Sequence, residues 1–257
     1  MPALQIGSQG PDVNRLQQAL NAAGFNCGTP DGAFGPNTQA QVEAFQAARQ
    51  LGVDGVAGPA TMAALGLIPP PGADITASVT VDGVVQMLTG TSRPNVTTNL
   101  PNVLTALRAK ALVDRPMILV TLATIYVETG QFDPIPEGIS QYNTSPGGQP
   151  FDLYNGRMGN GPNGAMYKGR GFIQLTGHDN YRDIGAAIGV DLVNNPDLAL
   201  DPVIAATILA QFLKRAENTI RFALAGQDLA SAREAVNGGT YGLTEFENAF
   251  HRGETIF

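Results

Sequence analysis

The chain of 257 residues is 43% hydrophobic, only 14% charged, and carries a formal charge of −7. That acidic balance excludes nucleic acid or an anionic membrane surface as the main partner, because phosphate binding needs a field of Lys and Arg. A single cysteine and two histidines exclude an intrachain disulfide framework, a multi-cysteine metal site and a histidine-rich one.

The 31 glycines and 18 prolines describe a loop-rich enzyme better than a disordered or coiled-coil chain. The start, MPALQIGSQGPDV, lacks the basic region and apolar core of a secretory signal, and no stretch reaches the length of a membrane span. Synthesis in the cytoplasm without a signal peptide is the expectation. A monomer is the default.

Residues 11–24 predict a first helix with Val13, Leu16, Leu20 and Ala23 on one face. An internal echo follows: DGAFGPNT at 31–38 recurs as DGVAGPAT at 54–61. In each copy Asp-Gly makes a tight turn, the next Gly allows a second reversal, and Pro-x-Thr opens a helix, predicted at 39–50 and 62–67. Val42 and Phe45 fall on the inner face of the second helix. These elements make a three-helix domain over 1–67.

Periodicity stops in GLIPPPGADITA, whose three prolines favour a stiff extended spacer, so 68–78 reads as a linker. The second domain, 79–257, is predicted to be mainly helical, with helices at 79–90, 98–110, 179–188, 201–224 and 228–236. Within RPMILVTLATIYVETGQF the run Met117–Val127 is apolar on nearly every side, which marks a buried central helix. Residues 133–170 are rich in Gly, Pro and Asn and read as long ordered loops, which inside compact domains are usually functional. The stretch 167–181, YKGRGFIQLTGHDNY, reads as a glycine-punctuated extended segment presenting Gln174 and Thr176.

Glu128 falls on the last turn of the apolar helix, before Thr129 and Gly130 as a helix stop. Burial and the negative helix end both favour its protonated form, as a general acid requires. Glu137, nine residues on, is the second carboxylate, and Asp133 competes with it. Two carboxyls flanking a glycosidic bond are the usual requirement for cleaving it.

Residues 4–67 resemble the peptidoglycan-binding module of bacterial and phage wall hydrolases. The resemblance runs through Leu4, Gly10, Val13, Leu16, Gln17, Leu20, Gly24, Asp31, Gly32, Phe34, Gly35, Thr38, Val42, Phe45, Gln46, Asp54, Gly55, Gly58, Pro59 and Thr61. ETG at 128–130, GRGFIQLTGHDNY at 169–181, NPDLALDPVIA at 195–205 and VNGG at 236–239 resemble, in that order, the family 19 glycoside hydrolases. These have a chitinase-like, lysozyme-type fold, and the likeness is greatest to the phage and bacterial endolysins among them.

That resemblance implies Glu128 as general acid, Glu137 as general base and Thr176 as a holder of the attacking water. Tyr167, Gln174, Asn180 and Asn237 would line the sugar cleft. It implies inversion, with the carboxyls about 6.5–9.5 Å apart, and it calls for no metal or organic cofactor. Val127 stands where many chitinases carry His, and the chain has no Trp, which weakens a chitinase assignment. The expected function is an endolysin that cuts peptidoglycan between N-acetylmuramic acid and N-acetylglucosamine after release to the wall through a lesion made by another protein. A chitinase, a lytic transglycosylase, or a wall-binding protein with an inactive catalytic fold are the alternatives.

Overall fold

The computed structural model describes residues 4–68 and 72–257, apart from the side chains of Pro59 and Asn237. The three prolines of the expected linker, 69–71, lie outside the described residues. The described chain holds ten α-helices and one two-stranded ribbon, so it is mainly α. It separates into two compact units: Met1–Ala73 with Arg215–Gly239, and Asp74–Lys214 with Thr240–Phe257. The break after Ala73 falls inside the expected linker. Residues 215–239 group with the first unit, whereas the expected second domain ran over 79–257, so helix α8 (Pro202–Ala225) has residues in both units.

In the first unit α1 (Pro11–Ala22), α2 (Pro36–Ala48) and α3 (Pro59–Ala64) each begin with proline just inside the helix, where its missing N–H costs nothing. Val13, Leu16, Leu20, Phe34, Val42, Phe45 and Met62 form the core, and Phe222 of α8 packs against it. The sequence echo is also a structural repeat. Buried Gln17 donates to Asp31 Oδ1 and Thr38 Oγ1 and accepts from the backbone N–H of Asp31 and Gly32. Buried Gln46 makes the same bonds to Asp54, Thr61 and Gly55. Each glutamine thus satisfies the turn that a lone Asp-Gly would leave to solvent.

The second unit is built around α6 (Arg115–Thr129), buried from Met117 to Ile125 as its apolar circumference requires. Beside it lie α4 (Val81–Met87), α5 (Arg93–Ala109) and α10 (Leu243–Ile256). Helix α5 starts five residues before the predicted 98, because Ser92 caps it and Pro94 sits in its first turn. Helix α10 was not predicted. Its face of Phe246, Ala249, Phe250 and Gly253 packs so closely that a Cβ on Gly253 would stand 2.5 Å from Leu119 Cδ2. The glycine that reads as a helix weakness is what lets α10 approach α6. Helix α7 (His178–Ile188) completes this unit, while α9 (Leu229–Asn237) belongs to the first.

Candidate active site

The site is assembled where two short strands meet. Strand β1 (Ile135–Pro136) pairs antiparallel with β2 (Arg170–Gly171), Ile135 opposite Gly171 and Pro136 opposite Arg170. One step further, Glu137 faces Gly169. Glu137 N donates to Gly169 O at 2.8 Å, and Gly169 N donates to Glu137 Oε2 at 2.9 Å. The carboxylate is therefore tied by backbone geometry to the segment that carries Gln174 and Thr176.

Its other oxygen, Oε1, accepts from Asn143 Nδ2 at 2.9 Å and from the Tyr154 hydroxyl at 2.7 Å. Asn143 is fully buried and also accepts from Ser140 N and Thr144 Oγ1, so its amide is locked. Burial, and then the bond to Glu137, pushes the Tyr154 phenol well above its ordinary range, which keeps it a donor at any physiological pH. Both donors come from the long loop that follows Glu137.

Residues 170–175 fold into a tight hairpin rather than a plain extended run: Arg170 N donates to Leu175 O and Leu175 N to Arg170 O. Gln174 closes it with φ at 52°, a left-handed conformation costing a non-glycine residue about 1 kcal/mol. The strain is held by two bonds from its Nε2, to Ile135 O at 2.9 Å and Gly171 O at 3.1 Å. Its Oε1 points at Gly169. A Cβ on Gly169 would stand 2.8 Å from that oxygen, 3.0 Å from Glu137 Oε2 and 3.1 Å from Thr176 Oγ1. Three polar groups therefore converge on one spot that only glycine leaves open.

The Thr176 hydroxyl donates to Gln174 O at 2.8 Å, so towards the opening it can only accept. Asn180 lies exposed in the first turn of α7, and its amide donates to Thr176 O at 2.8 Å. Tyr167 is 5% exposed, packed on His178 and Tyr181, with its hydroxyl on Val193 O. Its ring therefore lies in the packed layer under the hairpin, not on a surface. Buried Arg170 pins the same layer, donating to Met166 O, Lys168 O, the Tyr181 hydroxyl and Asp197. Burial pushes the Tyr181 phenol up to about 12, so it stays neutral and donates to Lys168 O.

Glu128 is on the last turn of α6, ahead of the Gly130 cap with φ at 66°. The continuous buried run of α6 ends at Ile125; Tyr126, Val127 and Glu128 are half-buried, and Thr129 is buried again. Asp133, the competitor, accepts from Asn99 of α5 and stands outside the Glu137 network. The side chain of Asn237 lies outside the described residues. Among the described residues no cluster of His, Cys, Asp and Glu could hold a metal ion. Asn143 and Tyr154 escape sequence reasoning, since a Gly/Pro-rich loop has no periodicity to mark which polar residues turn inward.

Residues 9–65 match the family model described as a putative peptidoglycan binding domain, and residues 151–238 match the model described as chitinase class I, the family 19 glycoside hydrolases. The chain thus joins a peptidoglycan-binding domain to a family 19 glycoside hydrolase domain. The second match takes in Tyr167, Gln174, Thr176, Asn180 and Asn237, while Glu128 and Glu137 precede it. Endochitinase A2 of Pisum sativum is 60% identical over 43 residues, 16% of this chain and 13% of that protein. Chitinase 11 of Oryza sativa subsp. japonica is 38% identical over 96 residues, 30% of this chain and 38% of that protein. The chain thus spans well under two thirds of the length of these curated relatives. The crystal structure of chitinase C from Streptomyces griseus HUT6037 matches with a TM-score of 0.50 at 21% identity, over 69% of this chain and 91% of that one. At that identity the likeness is one of fold.

Proposed function

We propose that the protein is an endolysin-type peptidoglycan hydrolase that cuts the glycan between N-acetylmuramic acid and N-acetylglucosamine. The observation that carries this reading is the convergence of Glu137, Thr176 and Gln174 around Gly169. A water lodged in front of Gly169, within reach of both groups, donates one proton to Thr176 Oγ1, whose own proton is engaged by Gln174 O, and the other to Glu137 Oε2. Its lone pairs are then turned towards the anomeric carbon. Glu128 protonates the leaving oxygen while Glu137 takes the water proton, and the product is inverted.

The remaining residues act on this geometry. Asn143, Tyr154 and the Gly169 N–H fix the Glu137 carboxylate, which preorganises the base before substrate arrives. Asn180 and Gln174 hold the backbone around Thr176, and Tyr167 supports it from beneath. Ile139 and Tyr142, 65% and 79% exposed on the loop after Glu137, offer apolar faces for sugar rings. A wall-binding domain on the same chain raises the local concentration of the hydrolase on an insoluble polymer. The site of action is therefore the bacterial cell wall.

A second reading, a chitinase, is favoured by the chitinase class I match. The test is mass spectrometry of fragments from purified peptidoglycan and from chitin, comparing the native chain with Glu128→Gln and Glu137→Gln. Reducing N-acetylmuramic acid ends, lost in both variants, are expected. Anhydro ends replace hydrolysis with transglycosylation, and cleavage of chitin alone makes the protein a chitinase. Full activity in Glu137→Gln removes Glu137 as base.

A further inference from the structure

The two halves of the peptidoglycan-binding domain are equivalent in construction but not in surface. Gln17 and Gln46 hold their respective turns by the same hydrogen bonds, which sets α1 and α2 in register. In that register Gly10 corresponds to Gln39, Asn14 to Glu43, Arg15 to Ala44 and Gln18 to Ala47. Over the second turn, Gln39 donates to Glu43, and the pair lies against Gly55: a Cβ there would stand 2.7 Å from Glu43 Oε1 and 2.9 Å from Gln39 Cγ. Over the first turn the nearest atoms to a Cβ on Gly32 are those of the Gly10 carbonyl, at 3.1 Å and 3.6 Å, and Asn14 Cβ at 3.8 Å, with no side-chain end against it as close as Glu43 and Gln39 are to Gly55.

The space that Gln39 and Glu43 fill in one half is open in the other. A cavity of about 680 Å³ lies there, lined by Gln9, Gly10, Asn14, Arg15, Gln18 and Gly32 among others. We propose that this open first-half groove is the domain's ligand site, and that it takes a muramyl peptide: an N-acetylated amino sugar bearing a short peptide with free carboxylates. The inference rests on the reading of 9–65 as a wall-binding domain and adds where and what it binds.

The lining chemistry selects that ligand. Gln9 and Gln18 carry amides suited to N-acetyl and peptide groups, and Asn14, which donates to Pro30 O and accepts from Gln18, steadies Gln18 beside them. Arg15 is the groove's cation, its guanidinium lying 4.9 Å from the Phe222 ring centroid, and it offers a planar fork to a carboxylate. Asp31, the acid at the rim, is occupied by its own turn: Ala33 N and Gln17 hold its carboxyl below the usual range. It stays ionised and internally bonded rather than competing for Arg15. Chitin has no carboxylate, so the groove distinguishes peptidoglycan from chitin where a glycan cleft alone does not. The second half has alanines at 44 and 47 in place of Arg15 and Gln18, and its Gln39 amide is engaged by Glu43.

The test is co-sedimentation of the full chain with purified peptidoglycan sacculi, with glycoside hydrolysis recorded on a soluble substrate. Arg15 and Gln18 are exposed, so Arg15→Ala with Gln18→Ala should fold, and is expected to bind sacculi roughly tenfold more weakly. Soluble-substrate activity is expected to be unchanged. Gln39→Ala with Glu43→Ala is expected to bind as the native chain does. Independently of any variant, titrating the native chain with a soluble disaccharide tetrapeptide should shift the amide resonances of Gly10, Gly32 and Ala33 and leave Gly55 and Val56 in place. Native binding by the Arg15/Gln18 variant, or shifts at Gly55 in place of Gly32, overturns the site. If the native chain does not bind sacculi at all, the wall-binding reading itself fails, and the site with it.

Discussion

Replacing Gly169 with alanine tests the proposed site at its narrowest point. The backbone of Gly169 is not in the left-handed region, so the substitution acts through the added methyl alone. That Cβ would meet Gln174 Oε1, Glu137 Oε2 and Thr176 Oγ1 at 2.8, 3.0 and 3.1 Å, whereas ordinary contact begins at 3.4 Å, so each must retreat by 0.3 to 0.6 Å. All three belong to side-chain ends, so the fold absorbs the change at a cost of about 1 kcal/mol, partly offset by the entropy alanine removes from the unfolded chain. Catalysis is less tolerant, since a misplacement of about 1 Å costs roughly 100-fold, and half of that costs about tenfold. The expected result is kcat/KM lower by about tenfold or more in release of reducing ends from peptidoglycan, with Tm shifted by a few degrees and sacculus binding unchanged. Activity within about twofold of native in a normally folded variant would falsify the placement of the reacting water beside Gly169.

Other consequences follow from the same contacts. Tyr154→Phe removes one of three donors to Glu137 and should lower kcat about tenfold with little change in KM, since it holds the base and not the sugar; an unchanged kcat would detach Tyr154 from catalysis. Gln46→Leu strips the 54–56 turn of its internal partner and should cost about 3 kcal/mol, seen as an early unfolding transition with soluble-substrate activity retained; a single native-like transition would refute the glutamine's structural role. Acid should destabilise the fold in a defined window. The carboxyls of Asp31, Asp54, Asp74, Asp152 and Asp228 all lie below their ordinary value, chiefly through hydrogen bonds from their own turns and caps. Their stabilisation is complete above the unfolded value of about 3.9 and is lost as pH falls through the lower folded values. Tm should therefore hold from pH 7 to 5 and drop below about pH 4, and a Tm unchanged at pH 3 would contradict these bonds.

The sequence by itself determined the elements whose cause is local. Apolar spacing marked α1, the all-round apolar run marked α6 as central, and the repeated Asp-Gly and Gly-Pro pairs marked both turns and the helices they open, because turn and cap chemistry acts over a few residues. It also placed Glu128 at a helix end and Glu137 in the next loop. Only the tertiary structure decided what surrounds them. Asn143 and Tyr154 reach Glu137 from six and seventeen residues away through a loop with no period, and Gly169 comes opposite it only because β1 and β2 pair. Tyr167 reads as a cleft aromatic in its motif, yet folding buries it beneath the hairpin. Helix α10 escaped notice because Gly253 looks like a weakness until Leu119 and Met87 stand against it. Likewise the two repeats look alike as strings. Which of them stays open was settled when Gln39 and Glu43 folded over Gly55, while Gly10, having no side chain, left the groove beside Gly32 open.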